Sequence, residues 1–209
     1  MKKLPHFILL IAFLVTTPTL LAQKGTIRQI KNHKKHIETF RKQKDATYKI
    51  PEKTMLTPKL LKGFKGLKYF PVDYSYKVKA QLTKLETPPN IVIKTSTGKS
   101  YIYVIYGTLS FNIKGKPYKL NVYQDARLVG SPITRNALFL PFTDATSGKE
   151  TYAGGRYLVL DIPNGDTLTL DFNLAYNPYC VYNPNHSCPI PPKENNLAVK
   201  ILTGEKMYE

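Results

Sequence analysis

Residues 101–124 read YIYVIYGTLSFNIKGKPYKLNVYQ, and this stretch decides the fold class. Tyr, Val, Ile and Phe dominate both halves, and β-branched and aromatic side chains favour strands. Lys114-Gly115-Lys116 in the middle has the composition of a hairpin turn. Gly107 interrupts the first half, which predicts a β-bulge at that position. The stretch therefore predicts two long strands that pair antiparallel.

Further strands are predicted on both sides of this hairpin. Tyr74, Tyr76, Val78 and Ala80 alternate with polar residues, which is typical of a strand with one face in water. Asn164-Gly165 predicts a tight turn between two later strands. The remaining predicted strands are 90–95, 137–142, 152–162, 167–172 and 197–202. About eight short strands at this spacing predict an all-β fold, a mainly antiparallel sandwich or barrel.

Two helices are expected before the strands. From Thr26 to about Lys44, apolar residues recur at three- and four-residue spacing among Lys and Arg, as in an amphipathic helix. Thr57-Pro58 is a helix-start signal, and Gly63 ends the short second helix. We therefore divide the chain into a leader at 1–22, a basic helical arm and connector at 23–67, and a β-domain at 68–209.

The leader has the features of a secretory signal peptide. Lys2 and Lys3 precede the apolar run Phe7 to Val15, and Ala22 is a small residue at the expected cleavage point. The apolar run is too short to cross a bilayer, and no later segment is apolar enough to do so. We expect an exported protein, periplasmic or extracellular, that begins at Gln23 and has no transmembrane segment after signal removal.

The charge is concentrated in the arm. The whole chain has a formal net charge of +17, and residues 23–72 hold 14 Lys and Arg against 3 Asp and Glu. The arm is expected either to meet an anionic envelope surface or simply to be a solvated helix face. His33 and His36, one helical turn apart, are expected to be solvated. Export makes nucleic acid an unexpected partner, and the absence of a phosphate-binding or dinucleotide motif predicts no cofactor.

A first polar motif follows the fifth predicted strand. Thr143, Asp144 and Ser147 supply side-chain oxygens in a turn, and Arg156 with Tyr157 comes after it. An Arg fork beside hydroxyls suits a carboxylate or phosphate, which predicts a ligand site. The alternative is turn architecture, with Arg156 in a structural pair with Asp144 or Asp171.

A second polar motif, rich in Asn, Pro and Tyr, spans residues 171–196. Its Asn residues and Asp171 either complete the ligand site or hold the loop by hydrogen bonds. The expected ligand-binding set is Thr143, Asp144, Ser147, Arg156, Tyr157, Asp171, Asn173, Asn177 and Asn195. Three carboxylates, Asp144, Asp171 and Glu194, are the candidates for general acid–base catalysis.

Cys180 and Cys188 lie in this second motif. In an exported protein the first interpretation is a disulfide that closes a small loop. Free thiols are the second interpretation, and a metal bound by the two cysteines and His186 is the weakest, because zinc spacing is missing.

Tyrosines are unusually frequent, 15 in all. They either line a site for a sugar or aromatic ligand or pack across strands. The candidate tyrosines are Tyr101, Tyr103, Tyr106, Tyr118, Tyr123, Tyr152, Tyr157, Tyr176, Tyr179 and Tyr182.

Several long motifs make the chain recognisable. They are FKGLKYFPVD at 64–73, LPFTDATSGKETY at 140–152, GRY at 155–157, DFN at 171–173, AYNPYC at 175–180, CPIPP at 188–192, EN at 194–195 and GEK at 204–206. With these motifs the chain resembles the bacterial family catalogued as domain of unknown function 1684, from about Ile37 onward. The resemblance implies no particular activity.

The leading hypothesis is thus an exported β-domain that binds a small polar or anionic ligand. The alternatives are a hydrolase of envelope or nutrient material that uses carboxylates, and a structural envelope protein.

Overall fold

The computed structural model describes residues 18–127, 129 and 136–208. Most of the predicted signal peptide, residues 1–17, lies outside the described residues. The predicted cleavage point after Ala22 falls inside helix α1, which spans Pro18–Tyr48. Among the described residues, none of the helices combines the length and the apolar character that a membrane crossing needs.

The two predicted helices are present. Helix α1 has 31 residues and extends beyond the predicted 26–44 at both ends. Helix α2 spans Pro58–Lys62, and the hydroxyl of Thr57 accepts the backbone N–H of Leu60 at 3.3 Å, as expected for an N-cap. The four short 3₁₀ turns in the described chain are Tyr74–Tyr76, Phe172–Leu174, Tyr179–Val181 and Lys193–Asn195.

In the part of the chain that the structure describes, eight strands form one curled, mostly antiparallel half-barrel, which confirms the all-β prediction. They are β1 Lys77–Lys84, β2 Asn90–Lys94, β3 Ser100–Ile113, β4 Lys116–Asp125, β5 Ala137–Asp144, β6 Arg156–Asp161, β7 Thr167–Asp171 and β8 Asn196–Leu197. The strand order is β6-β5-β4-β3-β1-β7, with β2 beside β3 and β8 beside β5. The β5–β8 pair is parallel, and the other pairs are antiparallel.

The central hairpin forms as predicted. Strands β3 and β4 pair over most of their length, and Lys114 and Gly115 make the turn with φ of 49° and 78°. The register shifts between Ile105 and Gly107, which is the predicted bulge. A Cβ atom at Gly107 would lie 2.5 Å from the carbonyl oxygen of Thr83, so glycine is required for the close approach of β1.

The later part of the sheet differs in two ways from what the sequence suggested. The chain turns near Asn164-Gly165, but β6 and β7 lie at opposite ends of the strand order, where β6 pairs with β5 and β7 with β1. The predicted strand at 197–202 is reduced to the short β8. The residues after β8 turn aside because their backbone groups bond to the Asp144 turn, to Arg156 and to Ala175 instead of to a strand.

The two faces of the sheet carry different apolar clusters. Val122 and Leu138 belong to the main core, whereas their chain neighbours Tyr123 and Phe139 belong to a smaller cluster. Successive side chains of a strand point to opposite faces, so the smaller cluster lies on the face away from the main core. This second face carries the cleft described below.

The basic arm packs against the β-domain. His33 is buried, and its Nε2 lies 2.6 Å from Oδ2 of Asp171. Ile37 is fully buried, and Arg41 donates to the carbonyl of Phe70 at 2.8 Å. The expectation that His33 is solvated is therefore wrong, because the thin apolar face of α1 turns this side chain toward the sheet. His36 is exposed, as expected.

Candidate functional site

Arg156, the expected anchor of a ligand, is enclosed by the protein. It begins β6 and is 1% exposed. Its Nη2 donates to Oδ2 of Asp144 at 2.8 Å and to the carbonyl of Ile201 at 2.9 Å, while Nη1 donates to the carbonyls of Thr203 and Glu205. Burial lowers the pKa of Arg156, and the charge of Asp144 opposes that shift. The structural pair that the sequence allowed is the one that forms.

The turn that contains Asp144 is held by its own side chains. Oδ1 of Asp144 accepts the backbone N–H of Thr146 at 2.7 Å and the N–H of Ile201 at 3.3 Å. Ser147 Oγ accepts the N–H of Asp144 at 3.1 Å, and Thr143 donates to the side chain of Asn196 at 2.9 Å. Such a turn, in which the side chain caps its own backbone, uses the oxygens that a ligand would need.

The asparagines of the second motif bind backbone groups of distant segments. Asn173 accepts the N–H of Asp73 at 2.9 Å and donates to the Asp73 carbonyl at 2.8 Å. Asn195 donates to the carbonyls of Asn121 and Pro141 and accepts the N–H of Asn121 at 2.9 Å. Each side-chain amide thus replaces a backbone partner, which lets irregular chain lie buried beside the sheet.

Glu205, which the sequence did not single out as a site residue, joins these contacts. It is 1% exposed, and its Oε1 lies 2.6 Å from Nζ of Lys44 on α1. Its Oε2 accepts the N–H of Asn177 and the hydroxyl of Tyr182, both at 2.8 Å. The only signal for it was its place in the motif at 204–206. We name the following set the C-terminal polar network: Asp144, Arg156, Asn173, Asn177, Asn195, Thr203 and Glu205.

The three catalytic candidates are directed to different partners. Asp144 bonds to Arg156, and Asp171 accepts from Asn173 and contacts His33. Glu194 lies exposed on the last 3₁₀ turn. The structure does not bring these carboxylates together as an acid–base pair.

Both cysteines are free thiols, so the predicted disulfide is not formed. The pair comes within 3.4 Å, whereas a sulfur–sulfur bond is about 2.05 Å long. The backbone N–H of Cys180 donates to Sγ of Cys188 at 3.1 Å, and this contact holds the loop without a covalent bond. Among the residues that the structure describes, no three His, Cys, Asp or Glu side chains are grouped so that they could hold a metal ion.

An open cleft lies beside the cysteines, on the second face of the sheet. It has a volume of about 210 Å³. Strands β3, β5 and β6 supply one wall, and the loop after β7 supplies the other. We call it the tyrosine cleft, and its lining residues are Tyr103, Phe139, Tyr157, Tyr176, Tyr179, His186, Ser187, Cys188 and Pro189. Of the residues predicted to bind a ligand, the structure places Tyr157 here.

Aromatic rings form most of the cleft wall, and several are fixed edge to face. Phe139 and Tyr157 have ring centroids 4.8 Å apart, and Tyr157 and Tyr176 have theirs 5.8 Å apart and perpendicular. Tyr157 also exchanges two backbone hydrogen bonds with Tyr176, and its hydroxyl donates to the carbonyl of Pro189. Tyr179, 41% exposed, forms the rim and contacts the ring of His186. The cleft is therefore preformed, with one exposed aromatic side chain at its mouth.

The hydroxyl groups around the cleft remain neutral at ordinary pH. Burial raises the pKa of Tyr103 to about 12, and it raises the pKa of Tyr157, Tyr176 and Tyr179 as well. Neutral tyrosines offer an apolar ring face together with a hydrogen-bonding tip.

The sequence of this chain matches a family described as "Protein of unknown function (DUF1684)" over residues 62–206. The chain belongs to this family. The likeness expected from the motifs is thus confirmed, and the tyrosine cleft, the two cysteines and the C-terminal polar network all lie within the matched DUF1684 region.

A solved structure has the same fold. It is the solution NMR structure of an uncharacterized protein of Haloarcula marismortui, 34% identical, with a TM-score of 0.65. The similarity covers 86% of the present chain and 96% of the other. No curated protein matches the chain significantly. The sequence pointed to this DUF1684 cleft through its tyrosines, of which Tyr157 was also in the expected ligand-binding set. Spacing alone does not separate tyrosines that line a cleft from those that pack across strands.

Proposed function

We propose that this DUF1684 protein is an exported binding module whose tyrosine cleft holds a small polar ligand with a flat apolar face, such as a sugar ring. The observation that supports the proposal is an open, preformed cavity with aromatic walls on the face of the sheet away from the main core. Ligand sites in proteins are typically concave and mostly apolar, with a few polar groups that orient the ligand.

The size of the cleft limits the ligand. Its volume of about 210 Å³ lies below the range of about 300–1,000 Å³ that is common for drug-sized ligands. A single ring fits better than an extended molecule. Rings of Tyr103, Tyr157 and Tyr176 would contact its flat face, and the rim residues Tyr179 and His186 would contact its polar edge.

The charge near the cleft argues against a cationic ligand. Aromatic cages often bind quaternary ammonium groups, so this chemistry has to be considered. Here, however, Nζ of Lys44, which is paired with Glu205, already lies 4.9 Å from the ring of Tyr176, so a cation is already in contact with that ring. The chain as a whole has a net charge of +17, which favours a neutral or anionic polar ligand over a cationic one.

Export and the role of the arm are part of the same proposal. The leader has a positive start, an apolar run and a small residue at its end, as secretory signals have. Lys31, Lys34 and Lys35 are exposed on α1, away from the buried His33 and Ile37. An anionic envelope surface would attract this face and keep the binding domain close to it.

The rival functions have less support. A hydrolase that uses carboxylates needs two of them around one bond, whereas Asp144, Asp171 and Glu194 have separate surroundings. A purely structural envelope protein accounts for the C-terminal polar network, but it does not account for an open aromatic cleft.

The test is a thermal-shift screen of the chain from Gln23, with sugars and hydroxylated aromatic compounds as ligands. A ligand at 100 times its Kd should add about 2.7 kcal/mol of stability. Tyr179→Ala should weaken a hit about 3- to 10-fold, because an aromatic contact is worth about 0.5–1.5 kcal/mol. Tyr118→Ala is the matched control, since Tyr118 is half-buried on β4 outside the cleft. Equal weakening by both variants, or no hit at all, would count against the cleft.

A further inference from the structure

Cys180 and Cys188 are two nucleophilic groups that ligand binding in the cleft does not use. We propose that they form a redox-active dithiol which exchanges with disulfide compounds, with Cys180 as the attacking sulfur and Cys188 as the resolving one. This inference is independent of the ligand proposed above, because it needs only the two thiols and their surroundings.

The two cysteines are preorganised for formation of a disulfide. The two cysteines approach to 3.4 Å, so a movement of about 1.4 Å is enough to form a bond of ordinary length. Both ends of the loop between them are fixed by hydrogen bonds. Cys180 N–H donates to Sγ of Cys188 at 3.1 Å, Cys188 N–H donates to Oγ of Ser96 at 3.1 Å, and Ser96 N–H donates to the Cys188 carbonyl at 2.9 Å.

The two cysteines differ in their exposure to solvent. Cys188 is 8% exposed and forms part of the cleft wall, whereas Cys180 is half-buried. Cys180 is thus the more exposed residue of the pair, and we assign it the first attack on a disulfide compound. Cys188 lies 3.4 Å from it, close enough to attack a mixed disulfide at Cys180.

Cys180 loses its proton more readily than Cys188. A hydrogen bond with Cys188 lowers the pKa of Cys180 to about 6, and hydrogen bonds with Ser96 and Tyr152 act in the same direction against burial. The same sulfur contact raises the pKa of Cys188. The thiolate is the nucleophile in exchange, so Cys180 reacts at neutral pH while Cys188 keeps its proton until the second step.

The exchange of the protein thiols with a disulfide compound has two steps. The Cys180 thiolate attacks one sulfur of a disulfide R–S–S–R, a Cys180–S–R bond forms, and one R–S⁻ leaves. Cys188 then gives its proton to that thiolate and attacks Sγ of Cys180. The second R–S⁻ leaves and takes a proton from solvent, equal to the one that Cys180 had lost. Two protein thiols are oxidised, and one disulfide is reduced to two thiols.

The experiment incubates the chain from Gln23 in buffers of reduced and oxidised glutathione and measures free thiols by alkylation and mass spectrometry. The expected result is that wild type loses both thiols together and carries no bound glutathione. Cys188→Ser should accumulate glutathione on Cys180, because the resolving sulfur is missing. Cys180→Ser should acquire it much more slowly.

A second measurement does not depend on any variant. The rate of alkylation of reduced wild type by iodoacetamide should rise with pH around a midpoint near 6, whereas an ordinary thiol has its midpoint near about 8.5. Thiols that stay reduced in oxidised glutathione, or equal glutathionylation of the two variants, would overturn the proposal. Circular dichroism of each variant confirms that the comparison is made between folded proteins.

Discussion

The C-terminal polar network and the tyrosine cleft lie on the same sheet and differ in how they use their polar groups. In the network, the charged groups of Arg156, Asp144 and Glu205 are bonded to other parts of the chain. In the cleft, aromatic rings line an open cavity, and Tyr179 at the rim is exposed to solvent. The dense polar motifs therefore fix the fold, and the capacity to bind lies in the less conspicuous aromatic surface.

The physical reason for this division is the cost of burial. A guanidinium or carboxylate that leaves water is costly unless it is paired and hydrogen-bonded, so most of its bonding capacity is used within the protein. A tyrosine ring gains by burial and still presents its other face or its hydroxyl. The predictions below test this contrast in order of decreasing effect on stability.

The largest effect is expected for Arg156→Met. It leaves Asp144 buried without its cation and frees the carbonyls of Ile201 and Thr203, so the free energy of unfolding should fall by about 3–5 kcal/mol. The matched control is Arg127→Met, which removes an exposed guanidinium from the half-buried Asp125 and should cost less than about 1 kcal/mol. Urea denaturation of both variants measures the two losses in the free energy of unfolding. Similar losses would mean that the network is not what holds the fold.

Gly204→Ala should have the next largest effect. Gly204 has φ of 78°, and a Cβ atom there would lie 2.7 Å from the carbonyl oxygen of Ala175. Gly98→Ala is a control with the same backbone strain, since Gly98 has φ of 79° and open space around it. We expect the strain alone to cost about 1–2 kcal/mol, and the clash at Gly204 to add about 1–3 kcal/mol. Thermal denaturation measures both losses. Equal losses for the two variants would show that the clash at Gly204 adds nothing to the backbone strain.

Tyr157→Phe probes the cleft wall and should cost about 1 kcal/mol. It keeps the ring contacts with Phe139 and Tyr176 but removes the hydroxyl that donates to Pro189. The loss should appear in urea denaturation and be several times smaller than that of Arg156→Met. A loss as large as that of Arg156→Met would show that the cleft wall is as important to the fold as the network.

The smallest effect on stability is expected at Asp45, near the C-terminal end of α1. Burial raises the pKa of its carboxyl, while the N–H of Leu67 donates to it at 3.1 Å. Because the pKa is higher in the folded state, ionisation costs stability, which falls as the pH rises from the unfolded pKa of about 3.9 through the raised folded value.

Asp45→Asn keeps the acceptor and removes this dependence. The variant should equal wild type at low pH and exceed it by less than about 1 kcal/mol at neutral pH. Unfolding free energies measured between acid and neutral pH test this, and a variant that is less stable at neutral pH would reverse the sign of the argument.

Much of the fold could be predicted because periodicity is a local signal. The alternation that leads into β1, the bulge at Gly107 and the turn at Lys114-Gly115 each follow from neighbouring residues, although β1 begins only at Lys77 and Tyr74–Tyr76 form a 3₁₀ turn. The separation of β6 from β7 could not be predicted, because a turn at Asn164-Gly165 does not determine which strands pair on either side of it.

The site was harder to predict because its contacts connect distant residues. The pairing of His33 with Asp171 spans 138 positions, and Arg156 binds main-chain carbonyls, which no side-chain pattern reveals. Arg156 was read as a ligand anchor for the same reason that it makes a good structural residue, namely its planar, multivalent fork.

Glu205 follows all of its partners in the sequence, which has a consequence for synthesis. It cannot join Lys44, Asn177 and Tyr182, and its carbonyl cannot help to enclose Arg156, until it has left the ribosome. These contacts therefore form late as the chain is made. Threading through a narrow translocation channel requires a chain that is not yet fully folded, and this order of events suits the export proposed above.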